Sequence, residues 1–199
     1  MKKTVRQVQK EQTREFLLKT AYQCFSEHGI LSTRMSDIAE AAGVSHGTVF
    51  LHFRTQEELV EEVVTACCGE IALRTHELAE GCASMREFLA AHLSGIREYE
   101  PFYTRLVIEN RLLPEPARDA WANIQSAVSF HFSRVAEREL RAGTIRDIPS
   151  ALLFNMWIGL IHYYLSNSDL FAPEGGAVER YGNIWIGAYL KMIQKEDRP

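Results

Sequence analysis

The sequence predicts an all-α protein, with an N-terminal bundle of three short helices followed by a larger helical domain. Apolar residues recur at spacings of three and four, without the apolar–polar alternation typical of strands. Glycine and proline interrupt the chain sparsely, so the intervening segments have helical rather than strand length. With 199 residues, 46% of them hydrophobic, the chain is long enough to bury a core, as one large domain or two small ones.

The first helix is expected over residues 11–28. Apolar or small residues recur there at the spacing of one helical face. This face carries Leu17, Ala21, Cys24, Phe25 and His28. Gly29 then ends the helix, because glycine readily adopts the left-handed conformation that follows many helix C-termini.

Two shorter helices complete the bundle. A run that begins after Thr33 ends at Ala42, and Gly43 breaks it. Ser45 is a suitable N-cap for the next helix, residues 46–52, because its hydroxyl can accept a hydrogen bond from the first turn. The N-terminal bundle is therefore expected to contain three helices.

Longer segments rich in aromatic and aliphatic residues follow. They are residues 102–113, 119–140, 150–165 and 178–193. The last two are apolar over most of their circumference, which is more than one core-facing stripe requires. A further surface must cover them, most simply a second copy of the chain. Gly159 and Gly187 would let such helices approach closely, and two helices from each subunit would form a four-helix bundle.

The chain carries no recognisable signal for export or membrane insertion. Its basic N-terminus, MKKTVRQVQK, lacks the apolar stretch and cleavage site of a signal peptide. The longest apolar run, residues 151–165, is shorter than the ~20 residues needed to cross a bilayer. Four cysteines without a C-x-x-C spacing indicate neither a disulfide framework nor a zinc knuckle. We therefore expect reduced thiols, a cytoplasmic location, and neither metal nor cofactor.

Charge is unevenly distributed along the chain. Residues 1–56 carry 8 Lys and Arg against 5 Asp and Glu, whereas residues 57–199 carry 14 against 21. This asymmetry indicates that the first part meets a polyanion. A basic arm at the N-terminus contains Lys2, Lys3, Arg6 and Lys10. The arm either follows phosphates or enters a minor groove, or it is a solvated, disordered tail.

The stretch DIAEAAGVSHGTVFLHF, residues 37–53, has the pattern of a helix-turn-helix, in which a tight turn at glycine joins two short helices. The whole motif is expected at about residues 35–53. The residues expected to pack it together are Ile38, Ala39, Ala42, Val44 and Phe53. Short or hydrogen-bonding residues remain on the outer face of the second helix, where they can approach base edges without bulk.

Three stretches carry a resemblance to a known family: AYQCFSEHG at residues 21–29, the helix-turn-helix stretch, and EEL at residues 57–59. They resemble the DNA-binding domain of the tetracycline-repressor (TetR) family of transcriptional regulators. The resemblance covers about residues 14–59. The remainder of the chain resembles the family only in being helical and of suitable length.

This resemblance implies a homodimeric repressor that binds a palindromic operator in double-stranded DNA and is released by a small molecule. Residues 1–55 would form the DNA-binding domain, and residues 56–199 the effector-binding and dimerisation domain, with the last two helices forming the dimer. Carried over residue by residue, the implied DNA-binding positions are Thr33, Arg34, Ser45, His46, Gly47, Thr48, Phe50, Leu51, His52 and Arg54.

Three positions depart from the family pattern. Phe50 stands where tyrosine is usual, so a hydroxyl that could reach a phosphate is missing. Gln56 stands where lysine is usual, although Arg54 nearby can substitute. Arg34 replaces the usual hydroxyl N-cap of the second helix and can itself reach the DNA backbone. Fewer charged contacts predict an affinity that depends less on salt than is typical of the family.

Aromatic residues between Tyr99 and Tyr164 are the main candidates for effector contacts, because pockets between helices are often lined by aromatic rings. Ordinary core packing is the alternative for each of them. The candidate ligand-binding residues are the aromatic Tyr103, Trp121, Phe154 and Trp157, together with His92 and His131, which lie on otherwise apolar segments and would supply polar contacts. The effector is expected to be partly apolar or aromatic. Glu109 either balances a cationic ligand or pairs with Arg105, four residues away.

Two other functions remain compatible with the sequence. One is a small-molecule-binding or enzymatic helical bundle whose helix-turn-helix is only structural. Against an enzyme, the chain has no nucleophile elbow, phosphate loop, metal box or paired carboxylates in a recognisable frame. The other is a constitutive DNA-binding protein without an effector. The leading hypothesis is a ligand-responsive repressor with no catalytic residues.

Overall fold

A computed structural model describes residues 4–195 of the chain. Between these limits the chain forms ten α-helices and one short 3₁₀ helix. The α-helices are α1 Val5–His28, α2 Met35–Ala41, α3 His46–His52, α4 Gln56–Ala79, α5 Met85–Glu98, α6 Glu100–Glu109, α7 Glu115–Ala142, α8 Ser150–Ser166, α9 Ser168–Phe171 and α10 Ala177–Ile193. The 3₁₀ helix is Asn110–Leu112, and an isolated β-bridge joins Ile145 to Gln194. The predicted all-α fold is confirmed.

The described chain divides into two compact units. The first unit contains the residues up to Cys67 together with Pro101–Trp121. The second unit contains Cys68–Glu100 together with the residues from Ala122 onward. The divisions fall inside α4 and α7, so both helices contribute to both units. The functional boundary predicted after residue 55 remains a prediction.

Helix α1 begins earlier than the sequence pattern predicts. Thr4 is its N-cap: the Thr4 hydroxyl accepts a hydrogen bond from the Gln7 backbone nitrogen at 3.3 Å, and the Gln7 side chain accepts one from the Thr4 nitrogen at 2.9 Å. This capping box starts the helix at Val5, in a polar stretch where apolar periodicity gives no signal. Arg6 and Lys10 of the basic arm therefore lie on α1, whereas its other two lysines, at positions 2 and 3, lie outside the described residues.

The core of the three-helix bundle lies where the periodicity placed it, with one exception. Leu17, Ala21 and Phe25 of α1 are fully buried, and Cys24 is nearly so. His28 is exposed, so its assignment to the core-facing stripe was wrong. It occupies the last turn of α1, directly before the Gly29 cap.

Helix α6 supplies two charged side chains that bind the backbone beyond the α1 core. Arg105 donates hydrogen bonds to the carbonyl oxygens of Ser26 at 3.4 Å and Glu27 at 2.7 Å. Such carbonyls have no partner within their own helix, because the last turn of a helix leaves its acceptors free. Glu109 accepts from the backbone nitrogens of Ile30 and Leu31. The Arg105–Glu109 pair, one of the two alternatives for Glu109, is therefore replaced by separate contacts with the end of α1 and the following loop.

A buried hydrogen-bonded and aromatic network joins three helices of the second unit. The Trp157 indole nitrogen donates to His92 Nδ1 at 3.0 Å, and the Trp157 ring lies 5.2 Å from the Tyr189 ring. The Tyr189 hydroxyl in turn donates to the Leu153 carbonyl at 2.7 Å. These contacts join α5, α8 and α10 and satisfy the polar atoms of their large rings, as burial requires.

The buried carboxylate of Glu100 caps α10. It accepts hydrogen bonds from the backbone nitrogens of Ala177 and Val178, which belong to the first turn of that helix. Burial raises the pKa of Glu100, and the two backbone hydrogen bonds oppose this rise. A side chain at Gly176 would collide with the Glu100 carboxylate, since an added Cβ would lie 2.7 Å from its oxygen.

The helices of the described chain include none that is both long enough and apolar enough to cross a membrane. All four cysteines are free thiols, and three of them are buried: Cys24, Cys67 and Cys68. Burial raises the pKa of Cys68 to about 12, so its thiol stays protonated at neutral pH. Cys82 is partly exposed, and its pKa is also raised, mainly by burial.

Candidate nucleic-acid interface

Helices α2 and α3 form the predicted helix-turn-helix. Gly43 has a φ of +65°, the left-handed conformation that the turn requires. The Val44 nitrogen donates to the Ala39 carbonyl at 3.0 Å, which closes the turn. Ser45 is the N-cap of α3, as predicted, and its hydroxyl accepts from the Thr48 nitrogen at 3.2 Å.

The buried side of the motif orients α3. Ile38 and Ala39 of α2 are buried, and Val49 of α3 and Phe53 directly after it have no exposed surface. Phe53 is further held by the Arg14 guanidinium, whose central carbon lies 4.7 Å from the ring centroid. With this side of the helix packed inward, the opposite side of α3 faces outward.

The exposed side of α3 combines polar and apolar groups. His46 and Gly47 are exposed, Phe50 is 43% exposed and Leu51 is 78% exposed. The His46 and Phe50 rings, four residues apart, meet edge to face with centroids 4.8 Å apart. Thr48 is half-buried, and its hydroxyl lies 2.8 Å from the Ser45 hydroxyl. These residues present both hydrogen-bonding and apolar chemistry to a groove.

Two of the predicted DNA-binding residues, Thr33 and His52, are directed inward. Thr33 is buried, and its hydroxyl donates to the Gly29 carbonyl at 2.7 Å. His52 is half-buried, and its Nδ1 has no hydrogen-bond partner among the described residues. Burial, followed by the positive charges of Lys10 and Arg14, lowers the pKa of His52. Neither side chain is therefore openly exposed for contact with the DNA backbone.

The two arginines predicted to contact DNA are exposed. Arg34 is the N-cap of α2, but the cap is supplied by Asp37, whose carboxylate accepts from the Arg34 nitrogen at 2.8 Å. That hydrogen bond is also the main reason why the pKa of Asp37 is lowered. Arg54 follows α3, and its backbone nitrogen donates to Glu58 at 2.7 Å. Both bonds use the backbone nitrogen of the arginine and involve no guanidinium atom.

Gln56 has a structural contact that sequence reasoning missed. Its side-chain amide donates to the Thr33 carbonyl at 2.9 Å, connecting the start of α4 to the loop before α2. The family pattern predicts for Gln56 only the loss of a lysine that would contact a phosphate. No local pattern reveals this bond, because the two residues are 23 positions apart.

The six predicted ligand-binding residues are all buried, but they lie in different units. Tyr103 and Trp121 lie in the first unit, with ring centroids 5.2 Å apart. The other four lie in the second unit. His131 contacts the exposed residue His76, and His76 Nδ1 lies 3.1 Å from His131 Nε2. Burial is the main cause of the lowered pKa of His131.

His92, Phe154 and Trp157 belong to one cluster in the second unit. Two further rings connect Phe154 to His92. The Phe132 ring lies 5.6 Å from that of Phe154 and 5.8 Å from that of Phe88, and the Phe88 ring stacks on His92. Burial lowers the pKa of His92 to about 3, so the imidazole is neutral and its Nδ1 is available as the acceptor for the indole of Trp157.

A separate cavity of 220 Å³ lies between α5 and α10. Its lining mixes apolar and charged side chains, among them Leu93, Ser94, Arg97, Glu179, Asn183 and Ile186. None of the six predicted ligand-binding residues lines this cavity. Within residues 4–195, no group of three His, Cys, Asp or Glu residues is placed to hold a metal ion.

The family model for "Bacterial regulatory proteins, tetR family" matches residues 17–63. This range contains most of α1, all of α2 and α3, and the start of α4. It therefore coincides with the helix-turn-helix and the helices that support it.

Similar proteins include several bacterial regulators. The HTH-type transcriptional repressor AcnR of Corynebacterium efficiens is 30% identical over 159 residues, which cover 77% of this chain and 76% of that protein. KstR2, a repressor from Mycobacterium tuberculosis, is 28% identical and covers 88% of this chain and 92% of its own. The probable acrEF/envCD operon repressor of Escherichia coli is 31% identical over 90 residues. The chain covers only 34% of that last protein.

Solved structures share the fold over nearly the whole chain. The solved structure of KstR2 has a TM-score of 0.75 at 21% identity and covers 92% of this chain and 96% of its own. The regulator FadR of Bacillus subtilis, in complex with stearoyl-CoA, has a TM-score of 0.68 at 19% identity, covering 88% and 97%. A regulator from Saccharomonospora viridis, in complex with choline, has a TM-score of 0.76 at 18% identity, covering 94% and 100%.

Proposed function

The chain belongs to the tetR family of bacterial regulatory proteins, and on this premise we propose that it is a ligand-responsive DNA-binding repressor. The proteins that it resembles are transcriptional regulators and not enzymes. We propose that it binds a palindromic operator as a homodimer and leaves it when a small molecule binds. Its place of action is then the cytoplasm, where bacterial DNA lies.

The observation that carries the proposal is the exposed face of α3. Val49 and Phe53 pack the buried side of the helix into the core. His46, Gly47 and Leu51 are therefore exposed on the opposite side of a helix that is capped at its N-terminus. A second helix presented in this way can enter the major groove, where base edges are read. Arg34 and Arg54, exposed at either end of the motif, are suited to phosphates of the DNA backbone.

Homodimerisation is supported by an exposed strip along α8 and α10. On α8 the strip contains Leu152 and Tyr163, which are 51% and 60% exposed. On α10 it contains Ile184, 63% exposed, and Met192, 41% exposed. Gly159 lies between the two α8 residues, and no atom lies within 4 Å of where its Cβ would be. Such a strip at helical spacing is what a second copy would cover in a four-helix interface.

Effector binding is proposed for the second unit, around His92, Phe154 and Trp157. The neutral His92 is a hydrogen-bonding group within an aromatic surrounding, the combination that orients partly apolar ligands. Regulators of the same fold have been crystallised with stearoyl-CoA and with choline, which supports an effector without indicating which one. Trp121 and Tyr103, in the first unit, remain candidates for ligand contacts.

The proposed mechanism is a two-state equilibrium. The operator binds the conformation in which the two recognition helices of the dimer match half-sites one helical turn apart, about 34 to 36 Å, or a multiple of it. The effector binds the other conformation more tightly. Because each ligand favours a different state, effector and operator lower each other's affinity by the same factor.

The test is selection of bound duplexes from a randomised pool, followed by titration of the selected duplex and a scrambled one at two salt concentrations. A palindrome bound at least ~10³-fold more tightly than the scramble supports a specific regulator. Equal, weak and strongly salt-dependent binding to both duplexes contradicts it. The matched control is Phe53→Ala, which removes the buried anchor of α3 while leaving the exposed reading residues in the chain.

A further inference from the structure

The recognition helix exposes unusual apolar surface for its size. Leu51 is 78% exposed and Phe50 is 43% exposed, although α3 contains only seven residues. Neither side chain is needed in the core, since Val49 and Phe53 are the buried residues of this segment. The helix also contains no lysine or arginine between His46 and His52.

The two hydroxyl groups at the start of α3, N-terminal to Leu51, are already partly engaged. The hydroxyls of Ser45 and Thr48 lie 2.8 Å apart, and the Ser45 hydroxyl also caps the Thr48 nitrogen. Gly47, one turn before Leu51, has no side chain, and its position has only the Ser45 hydroxyl nearby, 3.8 Å from an added Cβ. Leu51 therefore projects without a bulky neighbour on its N-terminal side, the side towards which helical side chains lean.

The most prominent apolar group on the base edges of the major groove is the C5-methyl group of thymine. Guanine, by contrast, is most often read by arginine or lysine, which α3 lacks. The Phe50 ring, which directly precedes Leu51 in the sequence, is held by its edge-to-face contact with His46. An apolar group on a reading helix is thus chemically matched to thymine.

We propose that Leu51, with Phe50 beside it, reads thymine methyl groups in each operator half-site. This inference rests on the proposed function and deepens it, because it names the base chemistry that the reading surface takes. Leu51 discriminates thymine from cytosine and from uracil by the methyl group rather than by a hydrogen bond. His46 supplies the polar contact to a neighbouring base edge.

The test replaces thymine by deoxyuridine in the selected operator, one symmetric pair of positions at a time. Deoxyuridine keeps the base pair and the O4 acceptor and removes only the methyl group. Burying one methyl contributes about fourfold in affinity, so a symmetric replacement in both half-sites weakens wild-type binding by about fifteenfold at the position that faces Leu51. Elsewhere in the operator the replacement is expected to have little effect.

The decisive variant is Leu51→Ala, measured on the same set of duplexes. It is expected to bind the thymine operator more weakly and to show no further loss at the deoxyuridine position, because the two changes remove the same contact. Leu112→Ala is the matched control: Leu112 is 75% exposed and also lies in the first unit, outside the motif. This control is expected to retain the full wild-type response to deoxyuridine.

The outcomes separate the inference from the proposed function. If wild type binds a selected palindrome but no thymine position responds to deoxyuridine, the inference is overturned and the repressor function stands. The inference is also overturned if Leu51→Ala keeps the same deoxyuridine penalty as wild type. If no duplex is selected at all, both fail. Thermal unfolding of Leu51→Ala, expected to match wild type because the side chain is exposed, shows that the variant is folded.

Discussion

The Glu109 carboxylate binds the backbone of Leu31, with 2.7 Å between Oε2 and the Leu31 nitrogen. Its other oxygen lies 3.1 Å from the Ile30 nitrogen. The loop that follows α1 is thereby held by a side chain of α6, which is 78 residues away in sequence. Gly29, at φ +100°, brings this loop close to the carboxylate, since an added Cβ would lie 3.0 Å from the Glu109 oxygen.

Replacing Glu109 by alanine is expected to destabilise the protein by about 2 kcal/mol. Hydrogen bonds to a charged group contribute about 1.5–3 kcal/mol each when buried, and this carboxylate is only half-buried. Glu109→Gln keeps one acceptor oxygen and is expected to lose about half as much. Urea unfolding measures both. Glu15→Ala, an exposed glutamate of α1, is the control, and an equal loss there would contradict the assigned contact.

Gly43→Ala is expected to cost about 1–2 kcal/mol, because alanine is strained at a φ of +65°. The Cβ itself meets nothing within 4 Å, so the cost is conformational rather than steric. Gly69→Ala is the matched control: this glycine lies within α4, also with no atom near its added Cβ. There alanine is expected to stabilise by about 0.5–1 kcal/mol. Thermal and urea unfolding distinguish the opposite signs.

The second unit is expected to lose stability as the pH falls below about 6.5. Burial lowers the pKa of His92 to about 3 and that of His162 to about 4, whereas an unfolded histidine has a pKa of about 6.5. Between these values the unfolded state binds protons that the folded state does not, so protonation favours unfolding. At pH 5 each histidine is expected to contribute a loss of about 2 kcal/mol.

This pH dependence is testable with His92→Gln, which keeps an acceptor for Trp157 but does not titrate. Urea unfolding at pH 7 and pH 5 should show a change smaller than that of wild type by about 2 kcal/mol. His28→Gln replaces an exposed histidine and is expected to retain the wild-type change. An unchanged pH response in His92→Gln would mean that His92 is protonated in the folded protein at pH 5.

Ile184→Asp is expected to convert the proposed dimer into a monomer. Ile184 is 63% exposed, so the new charge leaves the core intact, but it would be buried in a symmetric interface and face its own copy. Light scattering during size-exclusion chromatography gives the mass. Leu73→Asp, at a residue of the second unit that is 61% exposed, is the control. A dimer that survives Ile184→Asp, or dissociates equally with Leu73→Asp, counts against the strip on α8 and α10.

Arg34→Ala is expected to reduce the salt dependence of operator binding. Each phosphate contact contributes a slope of about 0.9 in log affinity against log salt, so losing one contact per subunit lowers the slope of a dimer by about 1.8. Arg86→Ala removes an exposed arginine of α5 and is expected to leave the slope unchanged. An unaltered slope in Arg34→Ala would show that this guanidinium contacts no phosphate.

The helix-turn-helix shows how far sequence reasoning reaches. The Ser45 cap, the tight turn at Gly43 and the burial of Phe53 were all predicted, because each depends on residues within a few positions. The inward hydroxyl of Thr33 was not predicted. A family motif carries over a position, but the direction of its side chain depends on the neighbours that fold around it.

The aromatic segments show the same limit on a larger scale. Their composition predicts burial, and all six candidate ligand residues are buried. Composition alone does not show which rings meet, and the structure places Tyr103 and Trp121 in one unit and His92 with Trp157 in the other. The partners of a buried ring depend on helix packing, to which residues far apart in sequence contribute.

The sequence by itself determined the all-α fold, the three-helix bundle and the position of the recognition helix. Helical periodicity, capping and glycine turns act over about four residues and are therefore readable in order along the chain. Only the tertiary structure decided that Glu109 holds Leu31, that Gln56 binds Thr33, and that Trp157 pairs with His92. These contacts join residues 23 to 78 positions apart, so they exist only once packing brings the helices together.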